Sequence, residues 1–450
     1  MFKNKKILIL GFARSGYEAA KVLIKRDNEV YLNDYRPESN MNSDQVEELK
    51  NLGVHLIFGS HPDDLLDSTF DYLIKNPGVP IDHKYVLMAR DMGIEVINEI
   101  EMAYRLLPDN VDIIGITGTN GKTTTTTIIY EIMHKAYGDR VHLAGNIGYP
   151  LSSILELVKE GDIIVMECSC QQGENFVSFH PHIGVFTNLS EAHVDFMKTY
   201  KHYKNTKSKM FLNQNEKDIS IMNYDNEDVM NELVKVSSSK KFFSSQHIID
   251  GCYLKDNYIY YYDEQVISID SIKIKGIHNV ENCMAAIMAV KEYNVSNSII
   301  FDVISKFNGV EHRLEYVDTI NGVDYYNDTE ATNIKCCQIA LSSFNSPIIL
   351  FLGGLERGQN FEDLNDYMDN VKAIIAIGQC RDRVAQYANK INKEVYVFEH
   401  LVDGFDKAVS IAEEGDIVLL SPASASWDQY KECEIRGAEF KNKVKELINE

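Results

Sequence analysis

Lys122 and Thr123 close a short glycine-bearing loop, Gly118-Thr-Asn-Gly-Lys-Thr-Thr124, and their types and spacing suit the handling of a polyphosphate. Glycines let backbone N–H groups approach phosphate oxygens, and a following helix N-terminus favours anions. A lysine neutralises the terminal oxygens, and a hydroxyl can hold Mg2+. The spacing departs from the usual G-x-x-x-x-G-K-[ST]: the place of its first glycine is taken by Ile116, and the nearest glycines are Gly115 and Gly118. The order of parts is nonetheless that of a phosphate cradle. Ile113, Ile114 and Ile116 predict a buried strand before the loop, and Ile128, Ile129, Ile132, Met133 and Ala136 fall at helical spacing after it.

Other candidate groups stand where strands should end. Asp162–Glu167 reads as a buried strand finishing in a carboxylate, the oxygen ligand that Mg2+ needs beside a phosphate loop. His182–Asn188 is another apolar strand, and His193 follows its end. Gly145-Asn-Ile-Gly148 looks like a strand-to-helix turn, and Gly276–Ala286 begins a helix whose amides at Asn279 and Asn282 suit a purine edge. Tyr203–Phe211 has helical spacing, and its lysines, Lys207 among them, read as a solvated face. Near the N-terminus, Gly11-Phe-Ala-Arg-Ser-Gly16 resembles a dinucleotide-binding turn with Ala13 in place of the middle glycine. Asp34 ends the second strand, where such folds place a ribose-binding acid. On these residues alone an NAD-binding domain is a rival reading. Asn76-Pro-Gly78 marks a turn at the carboxyl end of the same sheet, either a plain turn or a ligand contact.

The elements that must position these groups alternate strand and helix. Residues 1–100 predict strands at Lys6–Leu10, Val30–Asn33, Val54–Phe58, Tyr72–Ile74 and Glu95–Ile97, with a helix at Gly16–Lys25. Residues 101–308 carry the phosphate loop, a tyrosine-rich hairpin at Tyr258–Tyr262 taken as packing, and a linker-like stretch at Ser237–Lys241. Residues 309–450 return to α/β rhythm, with strands at Pro347–Leu352, Ala373–Ile377, Val395–Phe398 and Ile417–Leu420. A length of 450 residues is too great for one core and predicts about two to four domains. A net charge of −22 repels nucleic acid phosphates, so no nucleic acid partner is expected. The apolar run at Ile7–Leu10 is broken by Gly11 and Arg14, too short for a signal peptide or membrane span, and no later run reaches membrane length. Eight cysteines lie scattered without a C-x-x-C pair, the usage of a reduced, cytoplasmic chain.

Nine motifs together resemble the Mur ligases, and within them the members that add D-glutamate. They are Gly-Thr-Asn-Gly-Lys-Thr, Gly-Asn-Ile-Gly, Glu167 at its strand end, Thr-Asn-Leu-x-x-x-His193, His278-Asn-x-x-Asn282, Glu-His312-Arg313, Asn327-Asp328, Gly353-Gly354 and Ser-Pro-Ala-x-Ala-Ser426-x-Asp428-Gln429. The resemblance implies an α/β protein of three domains: a Rossmann-like N-terminal domain (1–100), a central P-loop ATPase-type α/β domain (101–308) and a Rossmann-like C-terminal domain (309–450). It implies an enzyme that phosphorylates the carboxylate of UDP-N-acetylmuramoyl-L-alanine with ATP and lets the amine of D-glutamate displace phosphate. By the same resemblance, Gly118, Thr119, Asn120, Gly121, Lys122, Thr123, Thr124, Asn282, Arg313 and Asp328 bind ATP. Thr123 and Glu167 hold one Mg2+ and His193 a second, while Lys207 matches a lysine that the family carbamylates into a metal ligand. The UDP substrate would lie on Gly11, Arg14, Ser15, Gly16, Asp34, Tyr35, Arg36, Asn76 and Gly78, with further substrate contacts from Asn146, Ser169 and Gln172. The acceptor would meet Thr332, Arg357 and Ser426. A monomer acting in the cytoplasm is implied as well.

Several positions depart from the family pattern on the acceptor side. Glu330 stands where the family has lysine, Cys433 where it has phenylalanine, Glu167-Cys-Ser-Cys-Gln-Gln172 where it has Glu-Leu-Ser-Ser-Phe-Gln, and Glu356-Arg-Gly-Gln-Asn-Phe361 where it has Asp-Arg-Gly-Asn-Glu-Phe. If Glu330 faced an acceptor carboxylate, like charges at about 4 Å and an effective dielectric near 20 would cost about 4 kcal/mol, about a thousandfold in affinity. Three alternatives follow: the same reaction with another acceptor, a nucleotide-binding relative without ligase activity, and an NAD-dependent oxidoreductase built on Gly11–Gly16.

Overall fold

The computed structural model describes residues 2–191, 197–232 and 236–448. They group into two compact units, residues 1–271 with 277–305, and residues 272–276 with 306–450. Among the described residues the strands form three sheets.

The first unit holds two of them. Strands β1 (Lys6–Leu10), β2 (Glu29–Asp34), β3 (His55–Phe58), β4 (Tyr72–Lys75) and β5 (Glu95–Ile97) run parallel in the order β3-β2-β1-β4-β5. The chain reverses its direction of travel across the sheet between β1 and β4, so the loops after these strands border the crevice where open α/β sheets take ligands. The apolar residues of β1 and β4 are buried because helices such as Arg14–Ile24 and Lys84–Asp91 cover the sheet.

The second sheet carries β6 (Asp112–Thr117), β7 (Val141–Gly145), β8 (Ile163–Glu167), β9 (Ile183–Phe186), β10 (Ile219–Asn223), β11 (Ser239–Ser244), β12 (Cys252–Lys255), β13 (Tyr258–Tyr261) and β14 (Glu264–Ser268). Their order is β14-β13-β12-β11-β10-β9-β6-β8-β7, parallel up to β12 and antiparallel beyond it. Helices Lys122–Tyr137 and Ile277–Lys291 pack together against this sheet. The tyrosines do pack, with Tyr253 and Tyr260 stacked at 5.4 Å across β12 and β13. The linker expected at Ser237–Lys241 instead runs into β11, whose Ser239, Lys240 and Lys241 pair in register with β10. Its serines and lysines look solvated in sequence, but Ser238 hydrogen bonds Ser220 at 2.7 Å, Lys241 pairs with Glu292 at 2.6 Å, and buried Phe243 anchors the strand.

In the second unit, β15 (Glu315–Ile320), β16 (Val323–Asn327), β17 (Ile348–Gly353), β18 (Val371–Ile377), β19 (Glu394–Val397) and β20 (Ile417–Leu420) take the order β15-β16-β20-β17-β18-β19. All pairs are parallel except β15 with β16. Side chains alternate as a two-faced sheet requires: Ile348, Leu350 and Leu352 enter one apolar cluster, and Ile349 and Phe351 the other. The β15–β16 hairpin was absent from the sequence expectation, although Asn321-Gly322 is a strong hairpin signal; both residues take positive φ, 53° and 77°. No described helix is long and apolar enough to cross a membrane.

Candidate active site

The glycine loop leaves β6 and enters the helix that begins at Lys122. Gly121 has φ +78°, and a Cβ there would run into the Asn282 side-chain amide from the facing helix. Any other residue would therefore be strained in backbone and crowded in space. Two residues after β9 brace the loop. The Asn120 N–H donates to Asn188 Oδ1 at 2.9 Å, Asn188 Nδ2 donates to Asn120 O at 3.0 Å, and Thr187 Oγ1 donates to Asn120 O at 2.7 Å. The Thr119 N–H donates to Asn188 O at 2.9 Å. Sequence reasoning named neither Thr187 nor Asn188 as a site residue; the polar pair directly after an apolar strand was the available signal. Lys122 Nζ donates to Thr119 O at 3.0 Å.

Strand register brings a carboxylate to this loop. Glu167, at the end of β8, lies opposite Ile116 of β6 and Gly145 of β7. Thr123 Oγ1 donates to Glu167 Oε2 at 2.8 Å, and Asn146 Nδ2 donates to Glu167 Oε1 at 2.8 Å. Glu167 is 1% exposed, so its charge sits buried with neutral donors on both oxygens. Two oxygens 2.8 Å apart also match the edge, about 2.9 Å, of an octahedron with Mg–O bonds of about 2.0–2.1 Å, so hydroxyl and carboxylate together fit a hard divalent cation.

The solvated face expected on the helix Tyr200–Leu212 is not there. Lys204 pairs with Asp228 at 2.8 Å, Lys209 donates to Glu174 O at 2.7 Å, and Lys207 is 3% exposed. The helix is wedged between neighbours, and its lysine stems serve as packing. Lys207 Nζ donates to Gly118 O at 2.6 Å and lies 4.9 Å from the Tyr203 ring centroid. Burial, with a smaller push from Lys122, brings its amine down to about 7. Tyr203 OH in turn donates to Thr119 Oγ1 at 3.0 Å. Ser169 and Gln172 cap their own short helix reciprocally, so these two side chains are occupied. Asn282 Oδ1 accepts from Thr125 Oγ1 at 3.2 Å and its Nδ2 donates to Asn279 at 3.1 Å, so both amides are engaged with protein groups. His193 lies outside the described residues.

A second cluster forms at the switch between β1 and β4. Ser15 Oγ donates to Asn76 Oδ1 at 2.5 Å, Asn76 Nδ2 donates to Gly11 O at 3.3 Å, and a Cβ on Gly11 would stand 2.9 Å from Asn76. A Cβ on Gly16 would collide with Gly11 O. Asp34 accepts from the Phe12 N–H at 2.8 Å and from Arg36 at 2.8 and 3.0 Å. Burial works to raise its carboxyl, but the Arg36 and Phe12 hydrogen bonds outweigh burial and hold it below the usual carboxylate range. Tyr35, Arg14 and Gly78 are exposed around this cluster. Sequence reasoning missed Lys75, which is fully buried and donates to Val79 O at 2.6 Å and Asn76 O at 3.3 Å, pinning the Asn76-Pro-Gly78 turn from beneath.

The remaining site residues belong to the second unit. Asp328 accepts from the Leu314 N–H at 3.0 Å and from Ser421 Oγ at 2.8 Å, and burial pushes its carboxyl up to about 7. Thr332 and Arg357 line a cavity of ≈ 430 Å³, while Ser426 is buried near its wall at Ala423–Ala425. The Arg357 guanidinium lies 4.6 Å from the ring centroid of Trp427. Glu330 is not part of that lining; it pairs with Arg313 at 3.4 Å and touches Cys433 Sγ at 3.6 Å. The like-charge clash expected of Glu330 is therefore relieved by a cation in contact. Buried Arg436, also missed in sequence, donates to Thr329 Oγ1 at 2.9 Å and to the Thr329 and Ser424 carbonyls at 2.9 and 3.1 Å, tying two of the loops together.

Comparison with known proteins agrees with this architecture segment by segment. Residues 5–98 match the Mur ligase MurD-like N-terminal domain, 116–290 the Mur ligase middle domain, and 312–424 the Mur ligase glutamate ligase domain, one match for each sheet. The chain is 40% identical to UDP-N-acetylmuramoylalanine–D-glutamate ligase of Ligilactobacillus salivarius (strain UCC118), covering 100% of this chain and 98% of the relative. It is 42% identical to the enzyme of the same name from Geobacillus kaustophilus (strain HTA426), over 99% and 98%. Among solved structures, UDP-N-acetylmuramate-alanine ligase from Thermotoga maritima shares the fold with a TM-score of 0.60 at 17% identity, over 98% of this chain and 99% of that one. The MurF ligase of Thermotoga maritima in complex with ADP does so with 0.59 at 16% identity, over 94% and 97%. Three α/β domains in sequence, each matching its counterpart, and relatives this similar along their whole length establish that the chain belongs to the Mur ligase family of ATP-dependent, amide-forming enzymes.

Proposed function

We propose that this protein joins D-glutamate to UDP-N-acetylmuramoyl-L-alanine at the expense of ATP, through an acyl phosphate, in the synthesis of peptidoglycan precursors. The observation that carries the reading is the buried Thr123–Glu167 oxygen pair, 2.8 Å apart at the mouth of the glycine loop. The acceptor and acid substrate are taken from the names of relatives 40–42% identical over nearly their whole length.

The chemistry is charge management. The Gly118–Thr124 loop, its Thr119 and Asn120 N–H groups already given to Asn188, and the Lys122 ammonium would receive the triphosphate, and the helix dipole beginning at Lys122 adds to their field. Thr123 and Glu167 would hold Mg2+, which when bound supplies charge neutralisation at the transferring phosphoryl group. His193 and Lys207 would serve a second ion. Because burial brings Lys207 to about 7, a neutral amine is available near physiological pH to take up CO2 as a carbamate. Asn146 orients the Glu167 carboxylate by donating to its free oxygen. Asn282, Arg313 and Asp328 would complete the ATP contacts.

The uridine nucleotide would lie over Gly11, Ser15, Gly16 and Asn76. Asp34, already bonded to Arg36, would act through that arginine rather than as an open ribose acceptor. Nothing in this arrangement requires a nicotinamide. Substrates of this kind place the working enzyme in the cytoplasm, and each chain carries all the proposed residues, so a monomer suffices.

Release of ADP with UDP-N-acetylmuramoyl-L-alanine, measured against a panel of D- and L-amino acids, tests the proposal. D-glutamate should support turnover at an ordinary KM. Turnover with another amino acid alone would move the acceptor assignment, and ATP binding without ADP release in every mixture would sink the ligase reading.

A further inference from the structure

We infer that Lys335 is a specificity-determining residue that, with Arg357, captures the side-chain carboxylate of the acceptor amino acid. This rests on the ligase reading above. The ≈ 430 Å³ cavity in the second unit is lined by Thr332, Asn333, Lys335, Arg357, Gln359 and Ser424 together with four other residues. Two cations, amides and hydroxyls face it, and its described lining contains no carboxylate. The chain as a whole has 67 acidic residues against 45 basic ones, so a doubly cationic, acid-free cavity runs against its composition. Such a lining selects a small anion.

Lys335 also stands in an awkward place for a merely solvated lysine. Asn333 caps the helix Ile334–Ser342 by accepting from the Cys336 N–H at 3.0 Å, which puts Lys335 in the first turn, at the positive end of the helix dipole. A cation there is locally unfavourable, and violations of this kind concentrate at functional sites. Its partner is held in place: Arg357 lies over Trp427, and its own N–H donates to Gln359 Oε1 at 2.9 Å. The positive charge that the family pattern carries at position 330 is thus lost to Glu330, which pairs with Arg313. Lys335, five positions later, carries a charge of that sign and belongs to the cavity lining, which Glu330 does not. A side-chain carboxylate presents two oxygens, and the cavity offers two cations to meet them.

Steady-state ADP release by K335A, K335R and the wild type tests this. K335A should raise the KM for D-glutamate by about tenfold or more, leave the KM values for ATP and the UDP substrate within about twofold, and K335R should restore most of the loss. A D-glutamate KM within about twofold of wild type in K335A would overturn the inference, with unchanged ATP and UDP-substrate KM values certifying the fold. Were the wild type itself inactive with D-glutamate, the acceptor assignment above would fall. Calorimetric titration with glutarate would then judge Lys335 separately: weaker binding by K335A upholds it, and an unchanged Kd overturns it.

Discussion

Replacing Lys207 by methionine should make the protein more stable and inactive. The amine is 3% exposed and is brought from 10.5 to about 7, chiefly by burial. That gap corresponds to about 5 kcal/mol of cost for keeping the lysine charged inside the fold at low pH. Between pH 7 and 10.5 the unfolded amine binds a proton that the folded one releases, so native stability climbs with pH across that window and is lost again as pH falls towards 7. Methionine fills a similar volume without the charge. It forfeits the bond to Gly118 O, about 1–3 kcal/mol for a carbonyl left bare, so the expected net gain at pH 6 is about 2–4 kcal/mol. Urea unfolding of both proteins at pH 6 and pH 10 in CO2-free buffer reads this directly. The variant should be the more stable at pH 6, the advantage should shrink or reverse at pH 10, and ADP release should be abolished. A variant less stable at pH 6, or one with the same pH slope as the wild type, would refute the argument that this lysine is held at the cost of the fold.

Gly121→Ala should weaken ATP-analogue binding about tenfold or more in calorimetry, because a Cβ at φ +78° is strained and meets the Asn282 amide. Unchanged affinity would show that the loop has room to give. Thr123→Val removes the hydroxyl on Glu167, and the Mg2+ concentration for half-maximal ADP release should rise about tenfold or more; an unmoved Mg2+ profile would count against that oxygen pair as the cation site. Burial pushes the Glu99 carboxyl up to about 6, so its contribution to stability is full below about 4.5 and is lost as pH rises through 6, about 2 kcal/mol in all. Glu99→Gln should flatten the pH dependence of urea unfolding between those values, and a slope equal to the wild type's would contradict the burial argument.

What sequence revealed and what it hid divide along the reach of local pattern. Apolar runs located β1, β6, β8 and β20 because a parallel strand buried on both faces needs little beyond its own residues. The juxtaposition of Thr123, Asn146 and Glu167 followed once those strands ended at one edge. The solvated-face reading of Lys207 failed, although the family resemblance had named it a site residue, because helical spacing reports which residues share a face but not what covers it. The stretch at Ser237–Lys241 was misjudged for the same reason, since β11 owes its burial to β10, β12 and Glu292 rather than to its own composition. Arg436 is a long-range brace on the Thr329 carbonyl, and Lys75 is a local one that folds back onto the turn following it; a lone basic residue beside an apolar run carries no sign of either. Glu330 shows the limit from the other side: the substitution was visible, but its consequence depended on Arg313 lying in reach.

The single tryptophan of the chain, Trp427, is 64% exposed and carries the Arg357 guanidinium, a group lining the cavity proposed for the acceptor, on its ring. Indole emission from this protein therefore has one source, uncluttered by other fluorophores of its kind, and that source is in contact with a residue lining the cavity. Any anion that draws Arg357 off the ring should alter the quantum yield, giving an optical titration of acceptor binding that needs neither label nor turnover.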